Sequence, residues 1–89
     1  MPLKALKALI GGLMALTYYF ILTEEKLSRH GDDLQEEGAY SSAREARNVI
    51  LSRGYWADNA SLTRYKNLQD EYLYLAEREF DPYEQRWTS

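Results

Sequence analysis

The stretch Ala8–Leu22, ALIGGLMALTYYFIL, carries no charge and lies near the front of an 89-residue chain. A bilayer-spanning helix needs about 20 predominantly apolar residues, and extending the run back through Lys7 to Ala5 brings it close to that length. Lys4 and Lys7 fit such a helix, because their aliphatic stems can lie along apolar surface while the ammonium groups reach the headgroups. At the other end Tyr18, Tyr19 and Phe20 stand where aromatic rings favour a membrane interface, and Glu24, Glu25 and Lys26 close the apolar zone.

A cleaved signal peptide would place small residues after its apolar core, whereas this core runs into Tyr18-Tyr19-Phe20-Ile21-Leu22. A soluble bundle could enclose the run, but an element apolar on every face finds little partner surface in so short a chain. The residues thus predict an uncleaved anchor. Lys4 and Lys7, with no acid before Glu24, place its front on the cytoplasmic or matrix side. Ala8, Gly11, Gly12 and Ala15 form a small-residue strip at helical spacing, a candidate contact for a neighbouring membrane helix.

The rest of the chain is acidic. The net charge is -3 with two basic residues before Glu24, which gives no electrostatic reason to expect nucleic acid. There are no cysteines, so disulfides, thiolate metal sites and a cysteine nucleophile are excluded. Helical character should continue from Glu24 to His30 as a stalk, with Gly31 as its stop. Asp32, Asp33, Glu36 and Glu37 lack the oxygen spacing of a calcium-binding loop.

Ser42-Ala43-Arg44-Glu45 has the capping-box arrangement and predicts a helix carrying Ala46, Val49 and Ile50, ended by Gly54. Tyr55 and Trp56 follow as a turn with large exposed rings. Leu62, Tyr65, Leu68, Tyr72 and Leu75 recur at helical spacing and predict a third helix, capped by Asp58 or Asn59 and ended by Asp81-Pro82. The expected fold is therefore all-α. A single transmembrane helix and stalk span 1–30, an acidic linker spans 31–41, and an amphipathic helical tail without a large core of its own spans 42–89.

No catalytic constellation accompanies this pattern. His30 is the one histidine and has no evident companions, the carboxylates occur as exposed-looking doublets, and Gly11-Gly12 falls inside the apolar run rather than in a phosphate loop. Asn59-Ala60-Ser61 is formally a glycosylation acceptor, although its place at a helix cap already accounts for Asn59 and Ser61. The expectation is a non-enzyme without cofactor or metal, with neither nucleic acid nor a small-molecule substrate as partner.

Two C-terminal stretches, Leu62-Thr63-Arg64-Tyr65-Lys66-Asn67 and Arg78-Glu79-Phe80-Asp81-Pro82-Tyr83-Glu84-Gln85-Arg86-Trp87, resemble the tail of the MNLL family, single-pass accessory subunits of mitochondrial respiratory complex I. The matching positions are Leu62, Thr63, Tyr65, Lys66, Asn67, Arg78, Glu79, Phe80, Pro82, Glu84 and Trp87. The stretch between membrane helix and tail motif is longer here than in that family.

The resemblance implies a structural subunit of the mitochondrial inner membrane, with its front in the matrix and its tail in the intermembrane space. Its partners would be the lipid bilayer and other subunits of a membrane complex. Leu62, Tyr65, Leu68, Tyr72, Phe80, Pro82 and Trp87 are the candidate partner contacts. Alternatives are a subunit of another respiratory complex, an assembly or membrane-shaping protein, and a bitopic regulator of a membrane enzyme.

Overall fold

A computed structural model describes residues 16–88. The longest element in it is a strand where a helix was expected: β4 (Tyr72–Asp81) runs through the middle of a five-stranded antiparallel sheet. Along one edge it pairs with β1 (Leu16–Leu22), and along the other with β3 (Arg64–Lys66), which in turn carries β2 (Trp56–Ala57). A turn over 82–85 brings β5 (Arg86–Trp87) back against the end of β4. Among the described residues one α-helix, α1 (Ala43–Ser52), accompanies the sheet.

Backbone hydrogen bonds fix the register. Leu75 N–H donates to the Thr63 carbonyl at 2.8 Å, and Thr88 N–H donates to that of Glu79 at 2.9 Å. The odd-numbered residues of β4 therefore direct their polar backbone toward β3 and β5, and the even-numbered ones bond to β1. Leu16↔Phe80, Tyr18↔Arg78, Phe20↔Ala76 and Leu22↔Tyr74 are consequently the hydrogen-bonded pairs, while Thr17↔Glu79, Tyr19↔Glu77 and Ile21↔Leu75 are the closer, unbonded ones. The outward amide and carbonyl of Tyr19 are both taken by Tyr40, at 2.8 Å each.

Strand alternation sends even and odd side chains to opposite faces, and each face has its own cover. On the even face Phe20, Leu22, Ala76 and Trp87 are buried together with Leu34, and Tyr18, Leu27 and Phe80 pack around them. Leu27 and Leu34 come from the segment between β1 and α1, where 3-10 turns form at Glu24–Lys26 and Gly31–Glu37. Arg78 ties this strap to the sheet, donating from Nη2 to the Leu27 carbonyl at 2.5 Å and from Nε to that of Arg29 at 3.3 Å. A Lys26–Glu37 ion pair joins its two turns.

The odd face lies under α1, which buries Ala46 and Ile50 over the buried ring of Tyr65. Ser42 caps this helix as its sequence predicts, its hydroxyl accepting from the Glu45 amide at 3.1 Å. Gly54 follows with φ of 88°, the left-handed conformation that ends helices at glycine.

The membrane reading is overturned. Leu16–Leu22 form a strand whose Phe20 and Leu22 are fully buried in the sheet's own core, so they cannot end a spanning helix. Among the described residues no helix is long and apolar enough to cross a membrane. The all-α fold gives way to a mixed α/β one, and with it go the lipid partner, the single-pass topology, the matrix and intermembrane-space placement and the inner-membrane accessory role, together with its variants in other membrane assemblies.

Local physics explains the other corrections. His30 and Gly31 do not end a stalk: His30 is the N-cap of the second 3-10 turn, its Nδ1 accepting from the Asp32 amide at 3.3 Å. The proposed third helix is broken at Leu62 and Asp70, both with φ of 59°. At the second break the nearly buried Asn67 accepts from the amides of Gln69 and Glu71 at 3.0 and 2.9 Å, stabilising a turn against the competing helix. Aromatic and apolar residues on both faces of 72–76 then suit a central strand covered on two sides.

Candidate functional site

The strap packs on the even face over β1, β4 and the Trp87 ring of β5. Further along the sheet, Trp56, Lys66 and Tyr72 are directly opposite one another across β2, β3 and β4, which puts all three side chains on that face in one row. Trp56 is 41% exposed and Tyr72 38%, unlike the buried rings under the strap. Arg64 stands one position over, its guanidinium 5.8 Å from the centroid of the Tyr72 ring, within range of a cation–π contact. The result is an open platform of two rings with cations between and beside them.

Each cation has an acidic neighbour. Arg64 pairs with Asp58 through Nη2 and Oδ2 at 3.1 Å, and Lys66 approaches Asp70 at 4.0 Å. The loop before β3 is tied down by Asn59, whose Oδ1 accepts from the amides of Thr63 and Arg64 at 3.0 and 3.1 Å while Nδ2 donates to the Thr63 hydroxyl at 2.8 Å. The platform therefore rests on a fixed backbone, and its rings need no large rearrangement to receive a ligand.

A second feature lies on the opposite face, where the seam between α1, the sheet and the loop at Ser61–Thr63 leaves a cavity of about 330 Å³. It is lined by Tyr19, Ala43, Arg47, Ser61, Leu62, Thr63, Leu75 and Glu77. A third depression, of about 520 Å³, lies beside the strap among Arg29, Asp32, Asp33, Gln35 and Glu36. Among the described residues no group of three His, Asp or Glu side chains is placed to hold a metal ion.

The partner-contact residues expected from sequence are dispersed by the fold. Tyr72 belongs to the open platform, and Leu62 lines the cavity on the other face. Tyr65 is fully buried under α1, and Trp87 and Phe80 pack in the even-face core. Leu68 is 86% exposed in the turn before β4, and Pro82 is in the turn between β4 and β5. The helix-contact residues Ala8, Gly11, Gly12 and Ala15 lie outside the described residues.

Arg64 and Lys66 on the platform, with Arg47 and Glu77 at the cavity, were not singled out as site residues by the sequence. The available signal was the period-two series Arg64-x-Lys66 and Tyr72-x-Tyr74 beside the exposed Trp56, which a strand reading would have placed on one surface.

The stretches LTRYKN and REFDPYEQRW, which carried the resemblance to the MNLL family, are β3 with its preceding loop and the β4–β5 hairpin of this sheet. That sheet, with no helix among the described residues long and apolar enough to cross a membrane, overturns the resemblance. No protein-family model, curated protein or solved structure matches the chain.

Proposed function

We propose that the chain is a non-catalytic docking domain that receives an extended, proline-rich segment of a partner polypeptide on the platform of Trp56, Lys66 and Tyr72. The observation that carries this reading is the in-register row, with two exposed rings separated by one intervening strand. Strands about 4.8 Å apart place the two ring attachments about 10 Å from each other. A polyproline II helix advances about 9 Å per turn of three residues, so prolines one turn apart can reach both rings.

The surrounding chemistry favours the same occupant. Rings and the Lys66 stem offer apolar surface, while the Tyr72 hydroxyl and the Trp56 indole N–H offer polar groups to a partner's unpaired carbonyls. Asp58, Asp70 and Glu71 around the platform would repel a phosphate backbone, which disfavours single-stranded nucleic acid on the same rings.

Titration with a synthetic peptide whose prolines recur every third residue tests the reading through tryptophan emission. Trp56 is exposed whereas Trp87 is buried, so a saturable blue shift reports the platform. Trp56→Ala and Tyr72→Ala should each weaken binding by about tenfold or more, as interface aromatic anchors do. For Trp56→Ala, amide chemical shifts replace emission as the readout. Tyr83→Ala, 80% exposed in the turn beyond β4, should leave the affinity unchanged. No saturable response, or binding indifferent to both platform variants, would sink the proposal.

A further inference from the structure

The cavity under α1 holds two opposite charges that do not meet. Arg47, half-buried on the helix, donates from Nε to the Tyr65 hydroxyl at 3.2 Å, and that hydroxyl donates to the Leu62 carbonyl at 2.8 Å. This relay holds the guanidinium by one edge and leaves its two Nη groups without an acceptor among the described residues. Across the cavity the Glu77 carboxylate is exposed and makes no hydrogen bond or ion pair among the described residues. Side chains long enough to pair across most surfaces here stay apart, in walls otherwise formed by Leu62, Leu75, Ala43, the Tyr19 ring, and Ser61 and Thr63 of the loop.

An oriented guanidinium with free Nη groups is a fork suited to a carboxylate. A carboxylate on the opposite wall suits an ammonium, and the leucines suit a short hydrocarbon. The volume of about 330 Å³ falls at the small end of ligand pockets, which favours a small ligand over nucleotides and large cofactors. The geometry points to a binding site for a free α-amino acid with a compact apolar side chain. Its carboxylate is held by Arg47, its ammonium by Glu77, and its side chain lies against Leu62 and Leu75. This site is on the face opposite the peptide platform and stands independently of it.

The relay through Tyr65 gives Arg47 its direction. Leu62, whose carbonyl ends the relay, has φ of 59°, a left-handed conformation that costs a leucine free energy. The loop is thereby held with that carbonyl facing the Tyr65 hydroxyl, and Tyr65 itself is fully buried.

Titration of the full chain with L-leucine, followed by amide chemical shifts, tests the assignment. Saturable shifts are expected at Tyr19, Leu62 and Leu75. The comparison ligands are 4-methylpentanoate, which lacks the ammonium, and 3-methylbutylamine, which lacks the carboxylate; each should bind more weakly than leucine by about tenfold or more. Arg47→Lys should weaken leucine by a similar factor, because a lysine cannot reproduce the fork. Glu77→Gln, an exposed strand position that leaves the core intact, should remove the advantage of leucine over 4-methylpentanoate. The assignment is overturned if leucine gives no saturable shift at these residues, or if its advantage over 4-methylpentanoate survives Glu77→Gln.

Discussion

Trp87→Ala is expected to lower the unfolding free energy by about 3–5 kcal/mol, the usual cost of truncating a large buried aromatic side chain. The position is close to the C-terminus, where substitutions are commonly tolerated, but here the ring is 9% exposed and anchors the even-face core. Its centroid lies 5.6 Å from Tyr18, 5.5 Å from Phe20 and 5.1 Å from Phe80, all at tilted or edge-on angles near 60°. Such pairs add to the area term. Folded chains of this length are stable by only about 4–13 kcal/mol, so the variant should lose a large part of its stability. Urea denaturation checks this directly, and a change below about 1 kcal/mol would contradict the packing described.

Gly31→Ala is the second large effect, and it comes from the other side of the same contact. Gly31 is buried where the strap crosses the Trp87 ring, and an added Cβ would meet Cδ2, Cγ and Cε3 of that ring, with Cε3 at 2.6 Å. Real Cβ atoms do not approach so closely, so the ring or the strap must move. Neither is free to do so. Trp87 is wedged among Tyr18, Phe20 and Phe80, and the strap is held by Arg78 and by the Lys26–Glu37 pair. Overpacking of this kind costs about 1–3 kcal/mol or more. In the Trp87→Ala background the added methyl should cost almost nothing, since the ring it strikes is gone. A double-mutant cycle should therefore show a coupling of about 1–3 kcal/mol, while additive effects would mean that glycine is required there for another reason.

These two positions show where the sequence was legible and where it was not. The Ser42 cap and the Gly54 stop of α1 were readable because capping chemistry is local: a hydroxyl, an amide and a left-handed glycine lie within one turn of each other. The requirement at Gly31 was not readable, because it is imposed by Trp87 from the far end of the chain. The same separation hid the partnership of Phe20 with Ala76.

Residues Leu16–Leu22 of the apolar run misled because a buried strand covered on both faces and a spanning helix are both uniformly apolar, and periodicity alone does not separate them. Within it, however, Thr17, Tyr18, Tyr19, Phe20 and Ile21 are aromatic or β-branched, which favours a strand. Residues 72–80 misled for the opposite reason. Leucine, alanine, glutamate and arginine there are good helix formers, and apolar residues on both faces obscured the alternation that would have marked a half-exposed strand. For the candidate site, the exposed Trp56 ring was legible, but its alignment with Lys66 and Tyr72 depends on register, which exists only once the strands have paired.

The central claim is that the seven residues Leu16–Leu22 are a strand paired with β4, since both the platform and the cavity depend on the sheet they complete. The most direct measurement is the pattern of nuclear Overhauser contacts between α-protons. In antiparallel sheets the unbonded pairs bring their Cα atoms to about 4.5 Å, so the account predicts cross-peaks for Thr17 with Glu79, Tyr19 with Glu77, and Ile21 with Leu75. Contacts spaced three and four residues along 16–22, the signature of a helix, with none of those cross-strand peaks, would contradict it.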